Sequence, residues 1–140
     1  MAWTLRGRAV PYALTGSGLT KQGTPSTRLG FMQTLHAART RHALIPIQGF
    51  RGPVLLLADA DDQLAPSPIS SAQMMHELRH DPAPHERRIY PRVGHVVLGI
   101  PSVPAQVAGE RGRSLGGSEA ADDAAHRTDW PLMIRFIRQN

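Results

Sequence analysis

The chain has 140 residues, a net charge of +5 and no cysteine. Its length fits one domain or a portion of a larger one. The lack of cysteine excludes disulfides, thiolate metal sites and a cysteine nucleophile within these residues. No apolar run reaches the length of a membrane span, and the N-terminal residues lack the apolar stretch of a signal peptide. We therefore expect a soluble, cytoplasmic protein that makes no membrane contact.

The positive charge comes from arginines, because Lys21 is the only lysine. The arginines are scattered along the chain, and no helical pattern combines a continuous basic stripe with interleaved aromatic residues. Such a stripe is typical of nucleic-acid-binding surfaces. The charge pattern therefore predicts no nucleic-acid partner.

The N-terminal third carries weak structural signals. Residues 2–12 mix apolar residues with arginine and glycine and are interrupted by Pro11, which favours a short extended segment. Residues 15–30 are rich in Gly, Ser and Thr and predict a loop. Residues 31–43 have helical spacing and predict a short helix. We expect residues 13–44, and later residues 101–118, to be flexible loops or variable segments.

The clearest pattern lies in the middle of the chain. The unbroken apolar run Val54–Ala58 is typical of a parallel strand covered on both faces. Ser67 and Pro68 then predict an N-cap and a first-turn proline for a helix that Asp81 and Pro82 end. His85–Tyr90 predicts a second strand. Strand, helix and strand together predict a βαβ unit with two parallel strands.

The C-terminal part predicts one more helix. Residues 101–118 contain repeated prolines and glycines and predict a loop. Ser118 is placed to cap a helix that runs to the C-terminus, with a break at Pro131. We expect Trp3 and Trp130 in core packing.

Acidic residues and a histidine follow the two predicted strands. Asp61 and Asp62 come after the first strand and His95 after the second. Parallel strands of a βαβ unit have their carboxyl ends at one edge, where open α/β sheets place active sites. An acid followed by a histidine is the chain order of α/β-hydrolases, and Gly94 permits a tight turn before the histidine. Acidic pairs and Gly-His pairs also occur in ordinary loops, so spacing alone leaves that alternative open.

A second motif, His76-Glu77-Leu78-Arg79-His80, matches the H-E-x-x-H signature of zinc proteases. Catalytic zinc needs a third protein ligand, and the extended signature fails at Ala83 and Glu86. We interpret the motif as the exposed face of the crossover helix and expect no metal or other cofactor. The remaining histidines (His36, His42, His85 and His126) are expected at the surface.

Four stretches resemble the acyl-CoA thioester hydrolase / bile acid-CoA:amino acid N-acyltransferase C-terminal domain family. They are WTLRGRAVPY at 3–12, IPIQGFRGPVLLLADADDQLAPS at 45–67, YPRVGH at 90–95 and LGGSEAADDAAHRTDWPLMIRFIR at 115–138. The resemblance implies an α/β fold: residues 1–140 form a partial α/β-hydrolase fold, contributing the C-terminal strands and helices of a mostly parallel sheet. It implies catalytic roles for Asp62 as the triad acid and His95 as the triad histidine. The chain departs at Ala65, where many relatives carry Trp.

The family acts on acyl-CoA thioesters in fatty acid metabolism, by hydrolysis or by transfer to an amino-acid amine. Its nucleophile lies in a G-x-S-x-G or G-x-C-x-G elbow, and no serine of this chain lies in G-x-S-x-G between a predicted strand and helix. The resemblance therefore implies an enzyme family, whereas this chain alone is expected to be an inactive fragment. Its expected partners are acyl-CoA and either an N-terminal half or a second copy. The alternative is a non-catalytic accessory protein that uses the half-sheet as a binding interface.

Overall fold

The computed structural model describes residues 4–13, 18, 19, 23, 26–40, 43–95 and 115–140. In these residues the protein is a small α/β structure with two short sheets and three helices. It divides into two compact units, Met1–Pro46 and Ile47–Asn140. The candidate site lies in the second unit.

The first unit contains a hairpin and a helix. Strands β1 (Thr4–Leu5) and β2 (Arg8–Ala9) pair antiparallel. Arg6 and Gly7 between them have φ of 52° and 75°, as a type I′ hairpin turn requires. Trp3 lies outside the described residues.

Helix α1 (Thr27–Thr40) begins earlier than the sequence predicted, because the Ser26 hydroxyl accepts a hydrogen bond from the Leu29 N–H and caps it. The range 13–44 is therefore helical over part of its length. Its variability stays a prediction, and residues 101–114 lie outside the described part of the chain.

The second unit contains the βαβ element that the sequence predicted. Strands β3 (Val54–Asp59) and β4 (His85–Tyr90) are parallel, in a register that runs from Val54 opposite His85 to Asp59 opposite Tyr90. Helix α2 (Ser67–Glu77) connects them. Because the strands are parallel and in register, the loops after β3 and β4 leave the sheet at the same edge.

Helix α2 begins differently from the prediction. Its N-cap is Pro66, and Ser67 occupies the first turn without capping the helix. The Ser67 hydroxyl instead donates to the Asp62 carboxylate at 2.7 Å. Because the helix begins one residue earlier than predicted, Ser67 lies within the first turn, and its hydroxyl is available to donate to a charged acceptor.

Helix α3 (Glu119–Gln139) is capped by Ser118, whose hydroxyl accepts from the Ala121 N–H as predicted. The helix continues through Pro131 without the expected break. Trp130 is 41% exposed, so its predicted place in the core is wrong.

The buried face of α3 is largely polar. It consists of Asp122, Ala125, His126, Asp129 and Leu132. His126 is therefore buried, not at the surface. Val93 and Ala125 form the local core with Leu57, Tyr90 and Ala121. No helix within the described ranges is long and apolar enough to cross a bilayer.

Arg87 provides a test of how β4 is held to α2. Its guanidinium donates to the Ser71 hydroxyl at 2.9 Å and to the Pro68 carbonyl at 2.8 Å. We expect Arg87→Ala to lower the free energy of unfolding by about 1–3 kcal/mol, because two charged hydrogen bonds are lost. Urea melts should show this decrease. Arg88→Ala is the matched control: Arg88 pairs with Glu86 in solvent, so its removal should change stability by less than ~1 kcal/mol. Equal losses in both variants would contradict the assignment.

Candidate active site

Asp62 and His95 meet at the carboxyl edge of the β3–β4 sheet. The His95 Nδ1 lies 3.0 Å from Asp62 Oδ2 and 3.2 Å from Oδ1. The Asp62 side chain is 1% exposed, whereas that of His95 is 38% exposed. The structure thus brings together two residues that are 33 positions apart in sequence. With Nδ1 turned to the carboxylate, Nε2 is the ring nitrogen that can exchange a proton with a reacting group.

Asp62 is held by hydrogen bonds from three further donors. The N–H groups of Leu64 and Ala65 donate to Oδ1 at 2.7 and 2.8 Å, and the Ser67 hydroxyl donates to Oδ2. Burial alone would raise the pKa of Asp62, but the hydrogen bonds from Ala65, His95, Ser67 and Leu64 outweigh it and hold the pKa below 3.8. Asp62 is therefore an ionised, oriented carboxylate at neutral pH.

Ala65 contributes to this arrangement through its backbone. Any residue except proline supplies the same N–H. The departure from the Trp of many relatives therefore leaves the contact with Asp62 intact.

The neighbouring acid, Asp61, has a different environment. Its carboxylate is exposed and accepts from the Gln63 side-chain amide at 3.1 Å and from the Gly117 N–H at 3.0 Å. Asp61 therefore ties the loop between β3 and α2 (residues 60–66, the acid loop) to the segment before α3. It makes no contact with His95 in the structure.

The acid loop and the loop after β4 (residues 91–95, the histidine loop) converge on the short segment that precedes α3, residues 115–118. The Leu115 carbonyl accepts from the His95 N–H at 2.9 Å and from the Gln63 N–H at 3.3 Å. A Cβ atom on Gly116 would collide with the Asp61 carbonyl, and one on Gly94 would collide with the Gly116 carbonyl. Gly116 also has φ of 82°, which disfavours other residues.

Gly94 therefore has a different role from the one that the sequence suggested. It does not have a positive φ, so the tight turn does not require glycine there. Glycine is needed because the backbone of the Gly116 segment passes too close for a side chain.

Asp122 is a site residue that sequence reasoning missed. It is fully buried, and its Oδ1 accepts from the Gly94 N–H at 2.9 Å. The available signal was its spacing: Asp122, His126 and Asp129 recur at the interval that places residues on one helix face. Polar residues in such a pattern are usually interpreted as a solvated face, which is why this one was overlooked.

A second buried acid lies further along α3. Burial raises the pKa of Asp129, while the neighbouring Tyr90 hydroxyl and His126 partly offset that effect. Burial, followed by the contact with Asp129, raises the pKa of Tyr90 above its ordinary value of 10. Asp129 is thus a second buried carboxyl group of α3, and the residue that it contacts is Tyr90 at the end of β4.

The histidines of the H-E-x-x-H motif do not share a helix. His76 lies in α2, but the helix ends at Glu77, so His80 falls in the turn after it. Across the described ranges there is no cluster of three or more His, Cys, Asp or Glu residues able to hold a metal. His85, expected at the surface, is nearly buried, with its Nε2 3.7 Å from Asp81. His42 lies outside the described residues.

Ser114 lies in a sequence that resembles a nucleophile elbow. Gly112-Arg113-Ser114-Leu115-Gly116 has the letters of G-x-S-x-G. A nucleophile elbow joins a strand directly to a helix and precedes the acid and histidine in the chain. Ser114 follows both, and the last described strand before it, β4, ends at Tyr90. Ser114 itself lies outside the described residues, so whether it acts as a nucleophile is tested by mutation.

Acid titration tests the environment of Asp62. Because its folded-state pKa is depressed, Asp62 stabilises the fold above its ordinary pKa of 3.8, and this contribution is lost as the pH falls through the lower folded value. We expect Asp62→Asn to cost about 1–3 kcal/mol at pH 7. The difference from wild type should shrink below pH ~4. Thermal melts from pH 7 to 2 measure this. Asp61→Asn is the control, because Asp61 is exposed and an amide oxygen can still accept its hydrogen bonds; it should cost less than Asp62→Asn at pH 7. A pH-independent deficit in Asp62→Asn would contradict the argument.

Comparison with known families identifies one matching family model. The family model described as "BAAT / Acyl-CoA thioester hydrolase C terminal" matches residues 18–140. The match includes Asp62, His95 and the Gly116 segment but not residues 3–12, whose resemblance rests on the sequence alone. No curated protein matches the chain. Because the match covers most of the chain, the protein belongs to the BAAT / acyl-CoA thioester hydrolase C-terminal family.

Proposed function

We propose that this chain supplies the acid and the histidine of an acyl-CoA thioesterase or acyltransferase whose nucleophile is carried by a separate, elbow-bearing segment. The contact between His95 Nδ1 and Asp62 is the observation that carries the proposal. The parallel β3 and β4, with an acid and a histidine after them, support a partial α/β-hydrolase fold.

The chemistry of the pair follows from its orientation. His95 Nε2 takes the proton of the nucleophile as that group attacks the thioester carbonyl, and Asp62 stabilises the imidazolium. When the C–S bond breaks, His95 returns the proton to the departing CoA thiolate. Water or an amine then attacks the acyl-enzyme and gives its proton to His95. The bond between the acyl group and the nucleophile breaks, and His95 returns the proton to the nucleophile. The partial exposure of His95 leaves Nε2 accessible for these transfers.

The edge of β3 opposite β4 supports the proposal of a separate segment. In the part of the chain that the structure describes, β3 pairs with β4 alone, and no described strand lies along its other edge. A strand added there in the parallel direction would end beside Asp62. A strand-to-helix elbow presents its nucleophile at this carboxyl edge of the sheet, where it must reach His95 Nε2.

Two apolar grooves are lined in part by residues of β3. One, of about 410 Å³, is lined by Leu55, Leu56 and Leu57 of β3 and by Met133 and Phe136 of α3. The other, of about 190 Å³, is lined by residues that include Val54, Met74 and Leu78. An added segment with apolar side chains would meet apolar lining at the larger groove. The elbow-bearing segment is therefore the occupant that we propose.

The isolated chain is expected to be inactive. We expect purified protein to show no turnover of acyl-CoA or p-nitrophenyl esters, because a triad that lacks its nucleophile loses most of its rate. Spectrophotometric assays of wild type and Ser114→Ala measure this. Turnover on the order of 1 s⁻¹ in wild type that Ser114→Ala abolishes would contradict the proposal and identify a nucleophile within the chain.

An elbow-bearing half is expected to complement the chain. The chain should bind the elbow-bearing half of an intact family member and gain thioesterase activity. Asp62→Asn and His95→Ala should abolish that activity without preventing binding. Phe136→Glu should weaken binding, because it places a charge in the larger groove. Ile137→Glu is its matched control, since Ile137 is the adjacent residue and is 64% exposed.

Size exclusion and binding of an apolar dye distinguish the alternatives. An isolated chain that binds dye, and loses dye binding when the elbow-bearing half is added, supports the proposal. A dye-negative dimer would mean that a second copy covers the edge. A dye-negative monomer that melts cooperatively would favour the non-catalytic binding function. Either of these last two outcomes overturns the proposal.

A further inference from the structure

We propose that Asp122 is a positioning residue for His95: its carboxyl group holds the Gly94 N–H and thereby sets where the imidazole stands relative to Asp62. The catalytic consequence rests on the proposed function, whereas the positioning itself does not. No part of the family match assigns a role to Asp122.

Three hydrogen bonds hold Gly94 and His95 of the histidine loop. His95 Nδ1 contacts Asp62, the His95 N–H donates to the Leu115 carbonyl, and the Gly94 N–H donates to Asp122 Oδ1 at 2.9 Å. The last contact acts on the peptide directly before His95. Because Gly94 is buried, its N–H has no solvent to replace a lost acceptor. Loss of the Asp122 carboxyl group therefore shifts this peptide, and with it the ring.

Asp122 is itself rigidly placed. Its N–H donates to the Ser118 carbonyl at 2.8 Å, within the capped first turn of α3. The side chain is fully buried. A Cβ atom on Gly117 would come within 2.6 Å of Asp122 Oδ1 and would also collide with the Gly94 nitrogen. The glycine therefore leaves the space in which this hydrogen bond forms.

The bonding of the carboxyl group points to positioning. Its Oδ2 has no hydrogen-bond partner among the described residues. A buried carboxyl group with one unpartnered oxygen is an inefficient source of stability, because desolvation offsets much of the gain. Its specific effect is to hold the Gly94 N–H.

Nuclear magnetic resonance of the complete 140-residue chain tests the proposal without any activity assay. The measured signal is the His95 Nδ1 proton, which the contact with Asp62 shields from exchange with water. Asp122→Ala should accelerate its exchange by roughly tenfold, as expected for the loss of a buried hydrogen bond. Asp122→Asn should retain wild-type exchange, since the amide oxygen is an equivalent acceptor. Asp129→Ala is the matched control, because it removes another buried carboxyl group from the same helix.

Two outcomes would overturn the proposal. One is a folded Asp122→Ala variant with wild-type exchange at His95; the other is equal acceleration in Asp129→Ala, which would show general loosening. If Asp122→Ala does not fold, Asp122→Ser serves under the same criteria, because its hydroxyl is too short to reach Gly94. In the complemented enzyme, Asp122→Ala should lower kcat with little change in KM. Failure of complementation would affect this last measurement alone and leave the exchange result standing.

Discussion

The Asp62 carboxylate is the interaction on which the rest of the site depends. It accepts hydrogen bonds from its own loop, from Ser67 in the first turn of α2 and from His95 beyond β4. One buried charge thus joins the end of each strand to the start of the crossover helix. Because these donors favour the ionised form, the same contacts that depress its pKa hold the histidine in one orientation.

A second constraint acts through the backbone. The segment before α3 lies against both loops, and glycines at 94, 116 and 117 permit this approach because a Cβ atom at any of them would collide with a neighbouring segment. Helix α3 is therefore coupled to the site through Leu115 and Asp122, although it supplies neither the acid nor the histidine. Through this coupling, Asp122 on the buried face of the helix is proposed to position the His95 imidazole.

The Asp62–His95 pair and the edge of β3 opposite β4 have parts in the same proposed function. Asp62 and His95 can move a proton and stabilise the resulting charge, but they do not attack a thioester unaided. The edge that no described strand covers, and the apolar groove lined by Leu55, Leu56 and Leu57, belong to the same strand that leads into the acid loop. Completion of the sheet and completion of the catalytic group are therefore proposed to be a single binding event. A charge in the groove is expected to affect assembly, whereas changes in the pair are expected to affect chemistry.

The amino-acid sequence by itself determined the elements whose signals are local. The apolar run of β3, the second strand at 85–90 and the Ser118 cap depend on neighbouring residues, and parallel pairing follows from strand order. The residues alone left Asp61 and Asp62 equivalent, and only the resemblance favoured Asp62. The tertiary structure decided that Asp62 faces His95, that Ser67 bonds Asp62 and does not cap α2, and that Asp122 is buried against Gly94. These outcomes depend on which distant backbone and side-chain groups meet, and a one-dimensional pattern of polarity does not encode that information.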